Sequence, residues 1–405
     1  MRSWRERLVL PAVVAPGAAA SSASAAWTFP LMIFAAFVVA WGAEAAEFLM
    51  SQGLALAVLA LIQTLPEFAV EAVIAWKAGK DPEMVHLAIA NFTGSLRLLT
   101  GLGWPMIYGV AAIYSRRRRG RGLGEIRLHD EHAVEVLGLL PPLAYFVVVW
   151  AKRSLSLWDA GVLTLTYAIY LWVLLRLPAR DEAVEEHEDL PRVSRWALSH
   201  EGWKRWAAVG GLLLAGGAII FWVAEPFLAS MMALATTFGI SQFVFIQWVA
   251  PFLSEFPEKT SAFAWARRVT RAPVALMNMV SSNINQWGVL SALLAVIYSW
   301  SRGEPTALPF DEFQRLEILL TIVQAFLGWI FLASMSLQAY EAAGLFALWL
   351  IQFLVPSLRH EMLWLYAAWI AVEVVLIALG KKKVLAFSAF GRVWQRRKRA
   401  GSPAP

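Results

Sequence analysis

Apolar residues recur in this chain as runs long enough to cross a lipid bilayer, and that pattern leaves few folds open. A helix spanning the hydrocarbon core needs about 20 mostly apolar residues. By that measure eleven spans are expected: 31–50, 53–76, 84–113, 133–150, 156–177, 207–236, 238–265, 273–299, 316–337, 341–356 and 362–380. The 84–113 and 207–236 runs are longer than a span requires and are expected to tilt or break. Charged residues make up 16% of the 405 residues, against about 25% in a soluble domain. That much apolar surface cannot be hidden in one water-soluble core, and the 21 Trp residues suit the membrane interface. The expected fold class is an all-α polytopic membrane protein.

Lys and Arg in the connections set the orientation. With the N-terminus outside, inner segments, counted with Arg176 at the inner end of its span, hold 23 of the 35 basic residues and outer segments hold 10. Arg97 and Lys259 fall within spans. The chain is therefore expected in the plasma membrane, with the N-terminus outside and the C-terminus cytoplasmic. The net charge of +6 then reflects the membrane side rather than nucleic acid. The absence of Cys excludes disulfides, thiolate metal sites and Cys nucleophiles. Residues 1–26 place three Arg before an apolar stretch broken by Pro11 and Pro16, and are expected to form a loosely structured tail. Residues 178–206 are the only sizeable hydrophilic connection. Their acidic residues, from Asp181 to Asp189, lack the spacing of a calcium loop, so the segment reads as a solvated cytoplasmic tether.

An internal repeat carries the functional argument. Residues 62–67 read Ile-Gln-Thr-Leu-Pro-Glu, and 253–258 read Leu-Ser-Glu-Phe-Pro-Glu. Each is followed by a helix with matched polar positions, Asn91-Phe-Thr-Gly-Ser95 and Asn278-Met-Val-Ser-Ser282. Five spans separate corresponding elements, so the two copies must cross the membrane in opposite directions. That is the inverted repeat of secondary transporters, whose substrate sits where discontinuous helices meet near the midplane. The expected organisation is a first five-helix repeat over 27–177, the linker 178–206, a second repeat over 207–356, and an extra helix with a basic tail over 357–405.

The chemistry follows from residue type. A proline inside a helix removes a hydrogen bond and displaces the carbonyl four residues earlier, here Ile62 and Leu253. Glu67 and Glu258 add negative charge beside those carbonyls. Gln63 and Thr64 lie on the face of Glu67, as Ser254 and Glu255 do for Glu258. Oxygen ligands of this kind suit Na⁺ and Ca²⁺. Intramembrane carboxylates cost about 3 kcal/mol on insertion scales, so two at matched positions point to function rather than to a kink.

At these residues the chain resembles the sodium/calcium exchanger membrane region, within the cation/Ca²⁺ antiporter superfamily. Its repeats read Gly-Thr-Ser-x-Pro-Glu, then Gly-Asn-x-x-Gly-Ser-Asn-x-x-Asn/Asp. The resemblance implies ten core helices in two inverted halves and alternating access to a central cation site. Its acidic, metal-binding ligands map to Glu67 and Glu258, and its hydroxyl ligands to Thr64, Ser95, Ser254 and Ser282. Asn91, Asn278 and Gln286 are further cation-binding candidates. The departures are Leu96 and Leu99, which stand where amide or acidic ligands are usual, and Glu255, which replaces a Ser. Arg97 is an intramembrane cation two residues past Ser95. Two expectations are open for it: pairing with Glu71 or Glu44 away from the ions, or projecting to the centre, balanced by Glu255, and occupying one cation position. Arg97, Glu255 and Glu71 are thus charge modulators of the site. Glu44, Glu47 and Glu225 read as ion-pair or gate residues.

The leading expectation is a secondary antiporter exchanging Na⁺ for Ca²⁺. Na⁺/H⁺ or Ca²⁺/H⁺ exchange by the same fold is the alternative, and a non-transporting membrane sensor or scaffold is the alternative of another class. Inorganic cations are cargo and partners along with the lipid bilayer, and no resident cofactor is expected. Gly-rich phosphate loops and hydrolase motifs are missing, so neither an ATP-driven pump nor an enzyme has support.

Overall fold

The computed structural model describes residues 22–49, 61–62, 64–176 and 190–400. The first repeat begins with α1 (Ala25–Glu47), followed by α2 (Leu65–Lys80) and α3 (Val85–Leu98). A π-helical turn over Leu99–Gly103 then leads into α4 (Trp104–Arg119), and α5 (Ala133–Gly138), α6 (Leu140–Ala151) and α7 (Leu157–Leu175) complete the half. A short helix α8 (Arg192–Leu198) lies in the linker. The second repeat holds α9 (Trp203–Thr237), α10 (Gln242–Ser254), α11 (Phe256–Ala266), α12 (Ala272–Asn285), a π-helical turn over Gln286–Leu290, α13 (Ser291–Arg302), α14 (Glu312–Leu332) and α15 (Ala339–Leu354). Helices α16 (Arg359–Ala378) and α17 (Ala386–Ala400) follow.

Eight helical segments among the described residues are long and apolar enough to cross a membrane, and Gln242–Ser254 and Ala339–Leu354 are shorter apolar helices. Each of the eleven expected spans contains helix. The start of the second span, 53–60, and Gln63 lie outside the described residues, as do 1–21 and 177–189. Helix α9 has 35 residues, about 52 Å at 1.5 Å per residue, which is well beyond a hydrocarbon core of roughly 30 Å.

Two small antiparallel ladders show the inversion directly. Strand β1 (Glu125–Arg127) pairs with β4 (Ser336–Gln338), and β2 (Ser154–Leu155) pairs with β3 (Leu308–Pro309). In each repeat one strand precedes the fourth span and one precedes the fifth. Exchanging the repeats turns the first ladder into the second. The ladders join connections that eleven alternating crossings put on the same side, one ladder per side. Contacts Arg392–Asp130, Ser194–Glu44 and Ser301–Trp76 obey the same parity.

Three sequence expectations change. Pro66 and Pro257 do not kink continuous helices; each lies in the first turn of a new helix after a break at Thr64 or Glu255. There a missing N–H costs nothing, because first-turn amides have no helical partner. The linker is more than a tether: α8 buries Ser194 and Ala197 against α1 and α9, and Ser194 bonds Glu44 at 3.2 Å. The basic tail forms helix α17, which buries Ala386, Ala389 and Val393.

Where helices bury faces from lipid as apolar as themselves, close packing rather than water exclusion holds them together. A Cβ on Gly94 would fall on the Gln247 carbonyl, so this glycine sets how closely α3 and α10 cross. Phe92, Phe146 and Trp287 form an aromatic cluster joining the halves, with Phe146 and Trp287 centroids 4.6 Å apart.

Candidate cation site

The two helix breaks and the two matched polar helices build one buried polar cluster. Breaking a helix exposes polar ends, so such breaks are tolerated only inside protein. The break at Ser254–Glu255 lies beside Glu67: Ser254 donates to Glu67 Oε2. Asn91 Nδ2 donates to both Glu67 Oε1 (2.8 Å) and Glu71 Oε2 (2.7 Å). Glu67 and Glu71 are four residues apart on α2, and one amide bridges both. In the second repeat, Ser282 donates to Glu258 Oε1 at 2.5 Å. Glu67, Glu71 and Glu258 are each at most 2% exposed.

Hydrogen bonds cross between the halves. Asn285 Nδ2 donates to Thr64 Oγ1 (2.5 Å), and Ser95 donates to Gln286 Oε1 (2.6 Å). Gln286 Nε2 in turn donates to Glu255 Oε1 (2.8 Å). Glu255 Oε2 forms an ion pair with Lys259, four residues on along α11, with both side chains buried. Ser95, Thr64 and Ser254 therefore all contact the opposite repeat. Asn278 is half-buried, one helical turn before Ser282. Gln286 opens a π-helical turn, and Leu99 opens the matching turn in the first repeat. Such turns recur at functional sites, and these two fall at the end of each Asn/Ser pattern.

Several buried oxygens point at no described donor: Glu258 Oε2, Glu71 Oε1, Asn91 Oδ1 and Asn283 Oδ1. Among the described residues no three His, Asp or Glu side chains converge as a ready metal cage. A divalent ion here would be held by two carboxylates plus amide and hydroxyl oxygens, a hard-oxygen set of the kind Ca²⁺ takes. Among the described residues, the one ion pair to the four carboxylates Glu67, Glu71, Glu255 and Glu258 is that of Lys259 with Glu255, so the cluster is strongly electronegative when all are ionised.

The partners expected for Arg97 are corrected in both cases. Its guanidinium pairs with Glu317 and donates to Gln352 Oε1 at 3.1 Å. Glu71 is engaged by Asn91, and Glu255 by Lys259 and Gln286. Residues two apart on a helix point nearly opposite ways, so Asn91 and Ser95 face the carboxylates while Arg97 faces away. Glu44 is buried and bonded to Ser194 and Ser261, and Glu225 pairs with Lys77 at 3.1 Å. Glu47 has no described side chain. The sequence reading missed Lys259 as the partner of Glu255, although an acid four residues before a base is a recognisable helical pair. It also missed Glu317, Gln247, Gln324 and Gln352, whose one available signal was polarity within apolar spans.

A family described as sodium/calcium exchanger protein matches residues 21–176 and 209–357, one block per repeat. Among solved structures, the H⁺/Ca²⁺ exchanger CAX is 30% identical with a TM-score of 0.82, covering 94% of this chain and 91% of that chain. The sodium-calcium exchanger NCX_Mj, soaked with 100 mM Na⁺ and 10 mM Sr²⁺, is 19% identical with a TM-score of 0.54, covering 82% of this chain and 97% of that chain. The same exchanger soaked with 2.5 mM Na⁺ and 0.1 mM Ca²⁺ gives 18% identity and a TM-score of 0.53. A search of curated proteins gives no significant match. With two matched blocks, one in each inverted half, the chain belongs to the sodium/calcium exchanger protein family.

Proposed function

We propose that this protein is a proton-coupled Ca²⁺ antiporter whose cargo is held between Glu67 and Glu258. The observation that carries the reading is the make-up of the buried cluster: several carboxylates and few spare neutral ligands. Leu96 and Leu99 put hydrocarbon where further oxygen ligands would be needed for several Na⁺ ions at once. When a divalent ion leaves, the carboxylates need another counter-charge, since uncompensated charge in the membrane interior is costly. A proton provides it without a shell of oxygens. The 30% identical H⁺/Ca²⁺ exchanger also supports the choice, with a TM-score of 0.82 against 0.54 for the sodium-calcium exchanger. Lys259 neutralises Glu255, which leaves Glu67, Glu258 and Glu71 as the groups that would trade protons for cargo.

Na⁺-driven exchange is the second reading, favoured by the matched hydroxyl pairs Thr64/Ser254 and Ser95/Ser282. Uptake of labelled Ca²⁺ into proteoliposomes separates the two. An imposed pH gradient is expected to drive uptake with no Na⁺ present, and Glu67→Gln or Glu258→Gln to reduce it to the level of protein-free vesicles. Uptake that follows a Na⁺ gradient at equal pH, and ignores a pH gradient, would reject proton coupling. No flux from folded protein under either gradient would reject antiport.

A further inference from the structure

Helix α3 has two polar faces. Asn91 and Ser95 line the acidic cluster. Thr93 and Arg97 are offset from them by two residues, about 200° around the axis, and look toward α10, α14 and α16. There the Arg97 guanidinium pairs with Glu317 and lies over the Trp248 ring, 5.1 Å from its centroid. Glu317 is 0% exposed and takes two further donors, Arg359 from the first residue of α16 and Gln247 Nε2 at 2.7 Å. Gln247 also reaches Thr93 Oγ1 at 3.3 Å, and Gln324 caps the Arg97 carbonyl at 2.9 Å. Two cations share one anion, so this group carries one net positive charge inside the protein. In the register of the Asn/Ser pattern the second repeat has Ile284 at the position of Arg97, so the charge stands on one side of the site only.

The thickness of one helix, about 10 Å, separates this charge from the carboxylates. Over that distance, at an effective dielectric near 20, a unit charge shifts the binding of a divalent ion by about a hundredfold or more. We infer that Arg97 is a specificity-determining fixed charge that weakens divalent binding at the acidic site, so that cargo is released at each turnover, while Glu317 and Arg359 hold it in place. The inference rests on the reading that the acidic cluster binds the transported cation. It gives the eleventh span a role in that chemistry, because α16 supplies Arg359.

Equilibrium Ca²⁺ binding to the full-length protein in lipid nanodiscs, at one fixed pH and without gradients, tests it. Arg97→Gln leaves a neutral Glu317–Arg359 pair and is expected to tighten Ca²⁺ about a hundredfold or more. Glu317→Gln leaves two unpaired cations and is expected to weaken Ca²⁺, while Arg97→Lys stays close to the wild type. A purely structural brace would weaken binding in both Arg97→Gln and Glu317→Gln; shifts of the same sign, or none, overturn the inference. If Glu317→Gln does not fold, Arg359→Met, which leaves a neutral Arg97–Glu317 pair, must tighten binding by a smaller factor, and weakening there overturns it equally. A wild-type protein that binds no Ca²⁺, or binds it no better than Glu67→Gln, removes the underlying reading instead. That result is visible before the Arg97 variants are compared.

Discussion

At the residue scale, the site is a contrast between two kinds of buried charge. Glu67 and Glu258 are held by neutral donors, Asn91, Ser254 and Ser282. Glu255 and Glu317 are held by Lys259, Arg97 and Arg359. A charge bound to a fixed opposite charge is spoken for; one bound to an amide or hydroxyl is available. The Pro-Glu pairs were legible because carboxylates within apolar runs are costly and these two recur in register. The partner of Arg97 was not legible. Glu317 lies 220 residues away and carries no motif, and only the packing of α3 against α14 brings the two together. Lys259 is different, since its i,i+4 relation to Glu255 is legible in the sequence.

At the element scale, the candidate site is built by helices that stop. Each Pro-Glu pair begins a helix instead of bending one, and the side chains of Thr64 and Ser254 at the two breaks bond side chains from the other repeat. Periodicity could place the apolar runs but could not distinguish a kink from a restart, because Pro is compatible with both. The crossing of α3 and α10 leaves no room for a side chain at Gly94. Gly94 packs directly on the Gln247 carbonyl, and Gln247 joins Thr93 to Glu317. Gly94→Ala is expected to force the helices apart at a cost of about 1–3 kcal/mol, read as a lowered melting temperature in detergent together with weakened Ca²⁺ binding. A variant that melts and binds like the wild type would mean that this crossing is not a constraint. The π-helical turns at Leu99–Gly103 and Gln286–Leu290 had no sequence signature, although they fall at matched positions.

At the scale of the whole molecule, two opposed halves are tied by one β ladder on each side and finished by two further helices. Lys382, beyond α16, pairs with Glu341 and Glu373, and Arg359 enters the core. The extra span is therefore part of the fold, where the sequence showed only its hydropathy. The count and alternation of crossings were readable from apolar runs because the bilayer sets their length. Absolute orientation rests on the Lys/Arg bias, and the Cys-free chain makes it directly testable. In intact cells a membrane-impermeant maleimide is expected to label Glu304→Cys and to leave Arg121→Cys unlabelled until the membrane is opened; the reverse pattern would invert the topology.

The central claim is that Glu67 and Glu258, one from each half, hold the same ion. Anomalous diffraction from crystals soaked in Sr²⁺, a heavier stand-in for Ca²⁺, tests it most directly. A single buried peak within about 2.3–2.8 Å of an oxygen from each carboxylate is predicted, a little longer at its upper end than Ca²⁺–oxygen distances. Peaks confined to the aqueous rims, or a buried peak that touches one of the two carboxylates and not the other, would contradict it.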